Sequence, residues 1–151
     1  MKSSEHVIPI PAIEEGTVID HLPSRETLKV MKLLNPQEFE HPITVALNLD
    51  SKKLGKKGVI KVNSRTLTKD EVEKIAILAP QATVSIIKNY KVLQKNRVHV
   101  PKSISGIPCS NPNCITNKEP AQTQFELVQE SPLRIRCHFC ERIMSRKDIA
   151  L

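Results

Sequence analysis

The chain has 151 residues, enough for one ordinary domain or two small ones, and carries a formal net charge of +7. Aromatic residues make up only 3% of it, so any core must be aliphatic. Residues 1–16 lack the apolar run of a signal peptide, and no segment approaches the roughly 20 apolar residues of a membrane span. We therefore expect a cytoplasmic protein with reduced thiols. The charge favours anionic partners, although a solvated lysine-rich surface explains it as well.

The first elements follow a proline-containing arm. Residues 1–15 predict an extended segment, and residues 17–22 are typical of a strand. Ser24 is a suitable N-cap for a helix over residues 25–34. His21 lies near the end of the predicted strand, where a lone histidine is usually a surface residue.

The next segment alternates apolar and polar residues and predicts a half-buried strand over residues 43–49. The alternation places four apolar residues on one face: Ile43, Val45, Leu47 and Leu49. A lysine-rich loop over residues 50–58 leads to a returning strand over 59–62. Such a loop can contact phosphates, but more often it is only solvated.

A capping box, Thr68-x-x-Glu71, begins a second predicted helix. A strand over residues 83–87, a turn at Lys88-Asn89 and a strand over 90–93 follow. This order predicts an α+β, ferredoxin-like βαββαβ domain with an extra hairpin strand. Both helices cover one face of the sheet, and the other face is free for a partner or ligand.

Residues 96–105 have the composition of a linker, with a boundary near residue 100. We expect a first domain over 1–100 and a second over 101–151. The second unit contains short predicted strands at 123–129 and 133–136 and is expected to be all-β. A unit of this size buries too little apolar surface to be secure without a further constraint.

All four cysteines lie in the second unit, as Cys109-x4-Cys114 and Cys137-x2-Cys140. Two close pairs separated by a longer stretch suit a tetrahedral cation, and four thiolates without an open position are typical of structural zinc. The alternatives are two disulfides, which need an oxidising compartment, or four free core thiols. The spacing therefore predicts one structural zinc ion.

No catalytic constellation is present in the sequence. Metal-bound thiolates are not free nucleophiles, and the chain has no glycine-rich phosphate loop of the P-loop or dinucleotide type. A metalloenzyme would need a three-ligand site with an exchangeable water. We therefore expect a protein without catalytic activity.

Several segments together resemble the regulatory chain of aspartate carbamoyltransferase, from about residue 7 to the end. They are Gly16-Thr17-Val18-Ile19-Asp20-His21, Leu47-Asn48-Leu49, Ala79-Pro80-Gln81-Ala82-Thr83-Val84, Asn89-Tyr90 and the cysteine quartet. The resemblance implies a regulatory subunit that binds the effectors CTP and ATP in its first domain. It also implies docking of the zinc domain on the catalytic chain, in an assembly where three regulatory homodimers link two catalytic trimers.

The resemblance further implies roles for eleven residues around a nucleotide. Ala12 and Ile13 line the base pocket, and the Ile13 and Tyr90 carbonyls accept hydrogen bonds from a base amino group. Asp20 binds ribose hydroxyls, and Lys61 reaches the ribose and the base edge. The remaining residues contact the phosphates (His21, Lys95, nearby Lys57, and Ser85 at a position that is often Asn) or pack on the base and sugar (Ile87, Val92).

One rival function keeps the zinc site but changes the partner. A basic zinc-ribbon protein that binds nucleic acid is favoured by the net charge and by Arg134, Arg136, Arg142 and Arg146 near the cysteines. Against it, the aromatic residues on which bases stack are nearly absent. We expect nucleotide effectors, and not nucleic acid, as the anionic partners.

Overall fold

A computed structural model describes residues 10–149 of the chain. Residues 1–9, which include most of the predicted extended arm, and residues 150–151 lie outside this range. Among the described residues, no helix is long and apolar enough to cross a membrane.

The first sheet has five antiparallel strands in the order β2-β3-β1-β4-β5, with two helices between them in sequence. The elements are β1 (Gly16–Pro23), α1 (Thr27–Leu33), β2 (Ile43–Ser51), β3 (Gly55–Asn63), α2 (Lys69–Leu78), β4 (Thr83–Lys88) and β5 (Lys91–Arg97). This is the predicted ferredoxin-like arrangement with its extra hairpin strand, and the α+β prediction is confirmed.

Aliphatic side chains fill the space between the sheet and the helices. Ile19 of β1, Ile60 of β3 and Ile75 of α2 are fully buried. Helix α1 packs so closely on β3 that a Cβ atom at Gly58 would overlap the side chain of Thr27. Only glycine therefore fits at this position.

The two helices begin differently from each other. The capping box of α2 is confirmed, because Glu71 N donates to Thr68 Oγ1 at 3.2 Å and Thr68 N donates to Glu71 Oε1 at 3.0 Å. The prediction of Ser24 as a helix cap is wrong. Ser24 lies in a 3-10 turn and its hydroxyl donates to Asn48 Oδ1 on β2 at 3.0 Å, so a tertiary contact replaces the local one.

Two β-bulges flank the same part of β3, one in β1 between Ile19 and Leu22 and one in β2 between Ala46 and Leu49. The bulge in β2 contains Asn48 in a left-handed conformation. An extra residue reverses the side-chain alternation. Before the bulge Val45 pairs with the buried Ile60, whereas after it Leu49 pairs with Lys57 on the free face.

The prediction that Ile43, Val45, Leu47 and Leu49 share one face is therefore wrong.

The hairpin turn between β4 and β5 also differs from the prediction. Asn89 and Tyr90 both have positive φ, at 53° and 64°, as the two central residues of a type I′ turn require. The turn lies one residue later than expected.

The second sheet is small and has the strand order β6-β7-β8-β9. Its elements are β6 (Ser103–Ser105), a short helix α3 (Ile115–Lys118), β7 (Gln124–Gln129), β8 (Arg134–Cys137) and β9 (Ile143–Met144). Phe125, Ile135 and Met144 are fully buried in it. Apart from α3 and a 3-10 turn at Arg146–Asp148, the described part of the second unit is all-β, as predicted.

The segment between the sheets, residues 98–102, is shorter than the predicted linker over 96–105 and is partly buried. Val98 and Val100 are buried, and the cluster of buried side chains continues through them from one sheet to the other. Val98 N donates to Ala82 O at 3.1 Å, and Leu127 N donates to Lys102 O at 2.9 Å. The connection is therefore bonded to both sheets.

Candidate functional site

The sulfur atoms of the four cysteines form one compact cluster. The two cysteine pairs are nevertheless at least 23 residues apart in the sequence. Each Sγ lies within 4.8 Å of the other three, and Cys109, Cys114 and Cys137 are buried. Cys109 and Cys114 lie on the loop before α3, whereas Cys137 ends β8 and Cys140 follows it. The fold thus brings two turns together around one point.

The distances fit a tetrahedral metal site. Sγ of Cys109 and Cys140 are 3.7 Å apart, and those of Cys114 and Cys137 are 3.8 Å apart. Four sulfurs at about 2.3 Å from one ion would be separated by about 3.8 Å. A disulfide requires about 2.05 Å, so the disulfide alternative does not fit this arrangement.

Burial and backbone amides act in opposite directions on the pKa values of the cysteines. Burial raises the pKa of Cys109 to about 12, in spite of a hydrogen bond from the Asn111 amide. Burial also opposes ionisation of Cys140, but hydrogen bonds led by the Arg142 amide outweigh it and lower its pKa to about 7. A cation among the sulfurs would favour the thiolate at all four positions.

A second candidate site is a cavity of about 400 Å³ on the face of the first sheet that the helices leave free. Seven of the eleven residues predicted to bind a nucleotide line it: Asp20, Lys57, Lys61, Ser85, Ile87, Val92 and Lys95. They come from four adjacent strands, β3, β1, β4 and β5. Three lysines oppose one carboxylate, so the cavity favours an anion.

Asp20 and Lys57 form an ion pair within this cavity, with Lys57 Nζ 2.9 Å from Asp20 Oδ1. The His21 amide donates to the same oxygen at 2.6 Å. Partial burial opposes ionisation, but the hydrogen bonds from Lys57 and His21 lower the pKa of Asp20 below its ordinary value. Asp20 is therefore an ionised hydrogen-bond acceptor.

Strand register accounts for the other lining residues. Ser85 of β4 pairs with Lys95 of β5, and Ile87 pairs with Val92. Each pair shares a face of the sheet, so a polar pair and an apolar pair lie side by side in the cavity. Lys61 Nζ donates to Pro11 O at 2.9 Å, which connects the cavity to the N-terminal segment.

Four predicted residues do not line the cavity: Ala12, Ile13, His21 and Tyr90. The Ile13 side chain is buried. The His21 ring lies 3.2 Å from Thr83 Oγ1, measured from Nδ1. Tyr90 lies in the hairpin turn, where its amide donates to Glu14 O at 3.0 Å. These contacts place the segment before β1 beside the hairpin turn.

Sequence reasoning missed several lining residues, among them Val18, Leu49, Val59 and Thr83. Val18, Val59 and Thr83 lie on the same strand face as the predicted residues, and period-two alternation from Asp20, Lys61 and Ser85 identifies them. Leu49 has no such signal, because the bulge in β2 turns it to this face.

Comparison with known proteins assigns both domains to one family. One family profile, described as the aspartate carbamoyltransferase regulatory chain, allosteric domain, matches residues 8–99. A second, the metal binding domain of the same chain, matches residues 102–150 and includes all four cysteines. The chain belongs to the aspartate carbamoyltransferase regulatory chain family.

Individual relatives agree along almost the whole chain. The regulatory chain of Pyrococcus horikoshii is 48% identical over 143 residues, which cover 93% of this chain and 94% of that protein. That of Thermococcus sibiricus is 50% identical over 89% of this chain and 90% of its own. That of Bacteroides thetaiotaomicron is 38% identical over 100% of this chain and 99% of its own.

Family membership confirms the expectation of a regulatory chain, and not a catalytic one. The metal-binding profile and the sulfur geometry agree that the second sheet is built to hold a metal ion. The first sheet is the allosteric domain of the family.

Proposed function

We propose that this chain is the regulatory subunit of a cytoplasmic aspartate carbamoyltransferase, and that it passes nucleotide signals to the catalytic chains of this pyrimidine-biosynthetic enzyme. The allosteric domain over residues 1–100 binds CTP and ATP, and the domain over 101–151 holds zinc and contacts the catalytic chain. The observation that carries the proposal is the free-face cavity with its three lysines and one ionised aspartate.

The cavity has separate polar and apolar parts, as a nucleoside triphosphate requires. Lys95 meets the phosphates, with Ser85 beside them, and Lys57 lies nearby. Asp20 accepts hydrogen bonds from ribose hydroxyls. The support is chemical: charge-assisted hydrogen bonds suit phosphates, and an ionised carboxylate suits paired hydroxyl donors.

The nucleotide base is recognised by the apolar pair, Ile87 and Val92, and by backbone carbonyl groups beside the cavity. Ile87 and Val92 pack on the base and sugar, and Lys61 reaches the base edge. The carbonyls of Ile13 and Tyr90 accept from the base amino group, next to Ala12. Pro11 supports this placement, because its carbonyl oxygen lies 2.9 Å from Lys61 Nζ at the edge of the cavity. His21 completes the phosphate contacts after a shift of its ring away from Thr83.

The metal is one structural Zn²⁺ ion held by Cys109, Cys114, Cys137 and Cys140. Four thiolates at tetrahedral spacing are typical of zinc, and no further donor is needed. The ion supplies folding energy to a sheet with few buried side chains. It presents the two cysteine turns as a rigid surface.

Exposed apolar side chains beside the cysteines support docking on the catalytic chain. Phe139 lies between the last two ligands in sequence and is 46% exposed, and Ile115 follows Cys114 and is 48% exposed. A contact with another polypeptide would cover them.

The regulatory homodimer has a separate candidate surface. Strand β2 is an open edge of the first sheet with Val45 and Leu47 exposed, which suits pairing of two such chains. Three such dimers join two catalytic trimers.

The signal is a shift in population between two arrangements of this assembly. Nucleotide binding changes the allosteric domain and the dimer contact, and the zinc domain transmits the change to the catalytic interface. A coupling free energy of about 1–3 kcal/mol is ordinary for such a system.

The test mixes the chain with matching catalytic trimers and measures aspartate saturation with and without CTP or ATP. Lys95→Gln should reduce the nucleotide response, because it removes one cavity cation. Lys91→Gln is the matched control, since Lys91 is exposed on the same strand but does not line the cavity. Saturation curves that neither nucleotide changes would refute the proposal.

The nucleic-acid alternative has its own outcome in binding measurements. A zinc-ribbon protein that binds nucleic acid would lose affinity steeply as salt rises. We expect no binding to nucleic acid, whereas binding that weakens steeply as salt rises would favour this alternative.

A further inference from the structure

A second cationic cavity lies where the two sheets meet, away from the free-face cavity. It has a volume of about 730 Å³ and is lined by Ser24 and Arg25 after β1, Asn48 of β2, the tip of the β2–β3 hairpin and Arg146 after β9. We call it the interdomain cleft. Its volume is within the range of small-molecule sites, roughly 300–1,000 Å³.

Two guanidinium groups, one from each domain, enter this cleft without a carboxylate partner. Within residues 10–149, neither Arg25 nor Arg146 forms an ion pair. Nε of Arg146 is buried and has no hydrogen-bond partner. A buried donor without an acceptor is costly, about 1–3 kcal/mol and more for a charged group. An acceptor in the cleft would remove that cost.

The cleft also contains one carboxylate. Glu26 lines it, and its Oε2 is buried without a hydrogen-bond partner, 3.8 Å from Lys29 Nζ. Asp50 forms a close pair with Lys56, at 2.6 Å. With Lys56 paired to Asp50, the cleft still has two arginines, Arg25 and Arg146, against the single carboxylate of Glu26, so its charge favours an anion.

Reciprocal hydrogen bonds join two segments of the first domain at the floor of the cleft. Ser24 Oγ donates to Asn48 Oδ1 and accepts from Asn48 N, both at 3.0 Å. Asn48 has φ 61° inside the bulge of β2. Bulges and left-handed residues of this kind concentrate next to functional sites, where they direct side chains. These bonds join Ser24, the neighbour of Arg25, to β2 at the floor of the cleft.

We propose that the interdomain cleft is a binding site for a small anion with a phosphoryl or carboxylate group, held between Arg25 and Arg146. Guanidinium groups bind both oxyanions in bidentate fashion. Because the two arginines belong to different domains, a bound anion bridges the allosteric and metal-binding domains. The site is separate from the free-face cavity and shares no lining residue with it.

The test uses the full metal-bound chain, with inorganic pyrophosphate and citrate as the two probes. Both are titrated calorimetrically into a Lys95→Gln background, which weakens binding in the free-face cavity. Amide NMR shifts then locate each probe. We expect changes at Asn48 and Gly55, and the probe with the larger effect distinguishes a phosphoryl from a carboxylate ligand.

Arg146→Gln and Arg25→Gln should each weaken binding at least about tenfold, because each removes one charge-assisted contact. Arg146→Lys should lose part of the affinity, since it keeps the charge but not the fork of donors. Arg134→Gln is the matched control, an exposed arginine of the second sheet that does not line the cleft. The Arg134→Gln variant should bind both probes with the same affinity as the background chain.

Equal affinity in the Arg146, Arg25 and Arg134 variants would overturn the proposal, as would shifts confined to Thr83 and Ser85 of the free-face cavity. The same titration is also carried out on the chain assembled with its catalytic partner. If binding seen in the free chain disappears in the assembly, the cleft belongs to a carboxylate side chain of the catalytic partner, and the small-anion site is wrong.

Discussion

The two sheets of this chain are stabilised in different ways. The first has five strands and two helices, and its core contains fully buried aliphatic residues such as Ile19, Leu22, Ile60 and Ile75. The second has four short strands, and Cys109, Cys114 and Cys137 are part of its buried interior. We therefore expect apolar burial to suffice for the first sheet, and the second sheet to depend on a metal ion because its core is small.

The strongest way to break this comparison is to remove a metal ligand. Cys137→Ser should abolish stoichiometric metal binding and unfold the second sheet, because metal coordination supplies about 10 kcal/mol or more to such units. Elemental analysis measures the metal, and NMR follows both sheets. The amide signals of residues 16–97 should remain dispersed.

Cys137 suits this test because it is fully buried and ends β8. His138→Ala is its control, since His138 adjoins Cys137 but is not in the cysteine cluster. It should keep a full complement of metal. A second sheet that stays folded after chelation would contradict the difference between the two regions.

The core of the first sheet is tested by truncating one buried side chain. Ile60→Ala should lower the free energy of unfolding of this sheet by about 2–5 kcal/mol, because it leaves a cavity between sheet and helices. Denaturant unfolding measures it. Val45→Ala on the neighbouring strand should lower the free energy of unfolding by much less than Ile60→Ala, because Val45 is 38% exposed. Equal losses at both positions would contradict the described core.

A smaller effect is expected at the start of α2. Thr68→Ala removes the hydroxyl that accepts from Glu71 N, and it should destabilise the first sheet by about 1 kcal/mol. Thr68→Ser preserves the acceptor and should be nearly neutral. Thermal unfolding of the three proteins compares them. The second sheet should be unaffected by either change.

The smallest expected effect concerns the ion pair of Asp20 and Lys57. The pKa of Asp20 is lowered in the folded chain, so its stabilising effect is present above the unfolded pKa of about 3.9 and disappears as pH falls through the folded value. Asp20→Asn should cost under about 1 kcal/mol at pH 7, because the pair is partly exposed.

Acid unfolding followed by circular dichroism measures this difference. The stability of parent and variant should converge at low pH, where Asp20 is protonated. A gap that widens as pH falls would show that Asp20 is not an ionised partner of Lys57 in the folded chain.

Much of this fold could be predicted from the sequence where the determining interactions are local. The capping box at Thr68 and Glu71 depends on residues three apart, and the metal site depends on two short cysteine spacings. Ser24 shows the limit of such reasoning. It is a good cap by residue type, but its hydroxyl bonds Asn48, 24 residues away, and no local pattern contains that contact.

The residues themselves determined the element order, the aliphatic core and the two cysteine pairs that suit one metal ion, because periodicity and spacing act over a few residues. Only the tertiary structure decided which face Leu49 occupies, since one extra residue at Asn48 reverses the alternation and depends on pairing with β3. It also decided that Arg25 and Arg146 meet in one cleft, because residues far apart in sequence come together only when two sheets pack on a shared core.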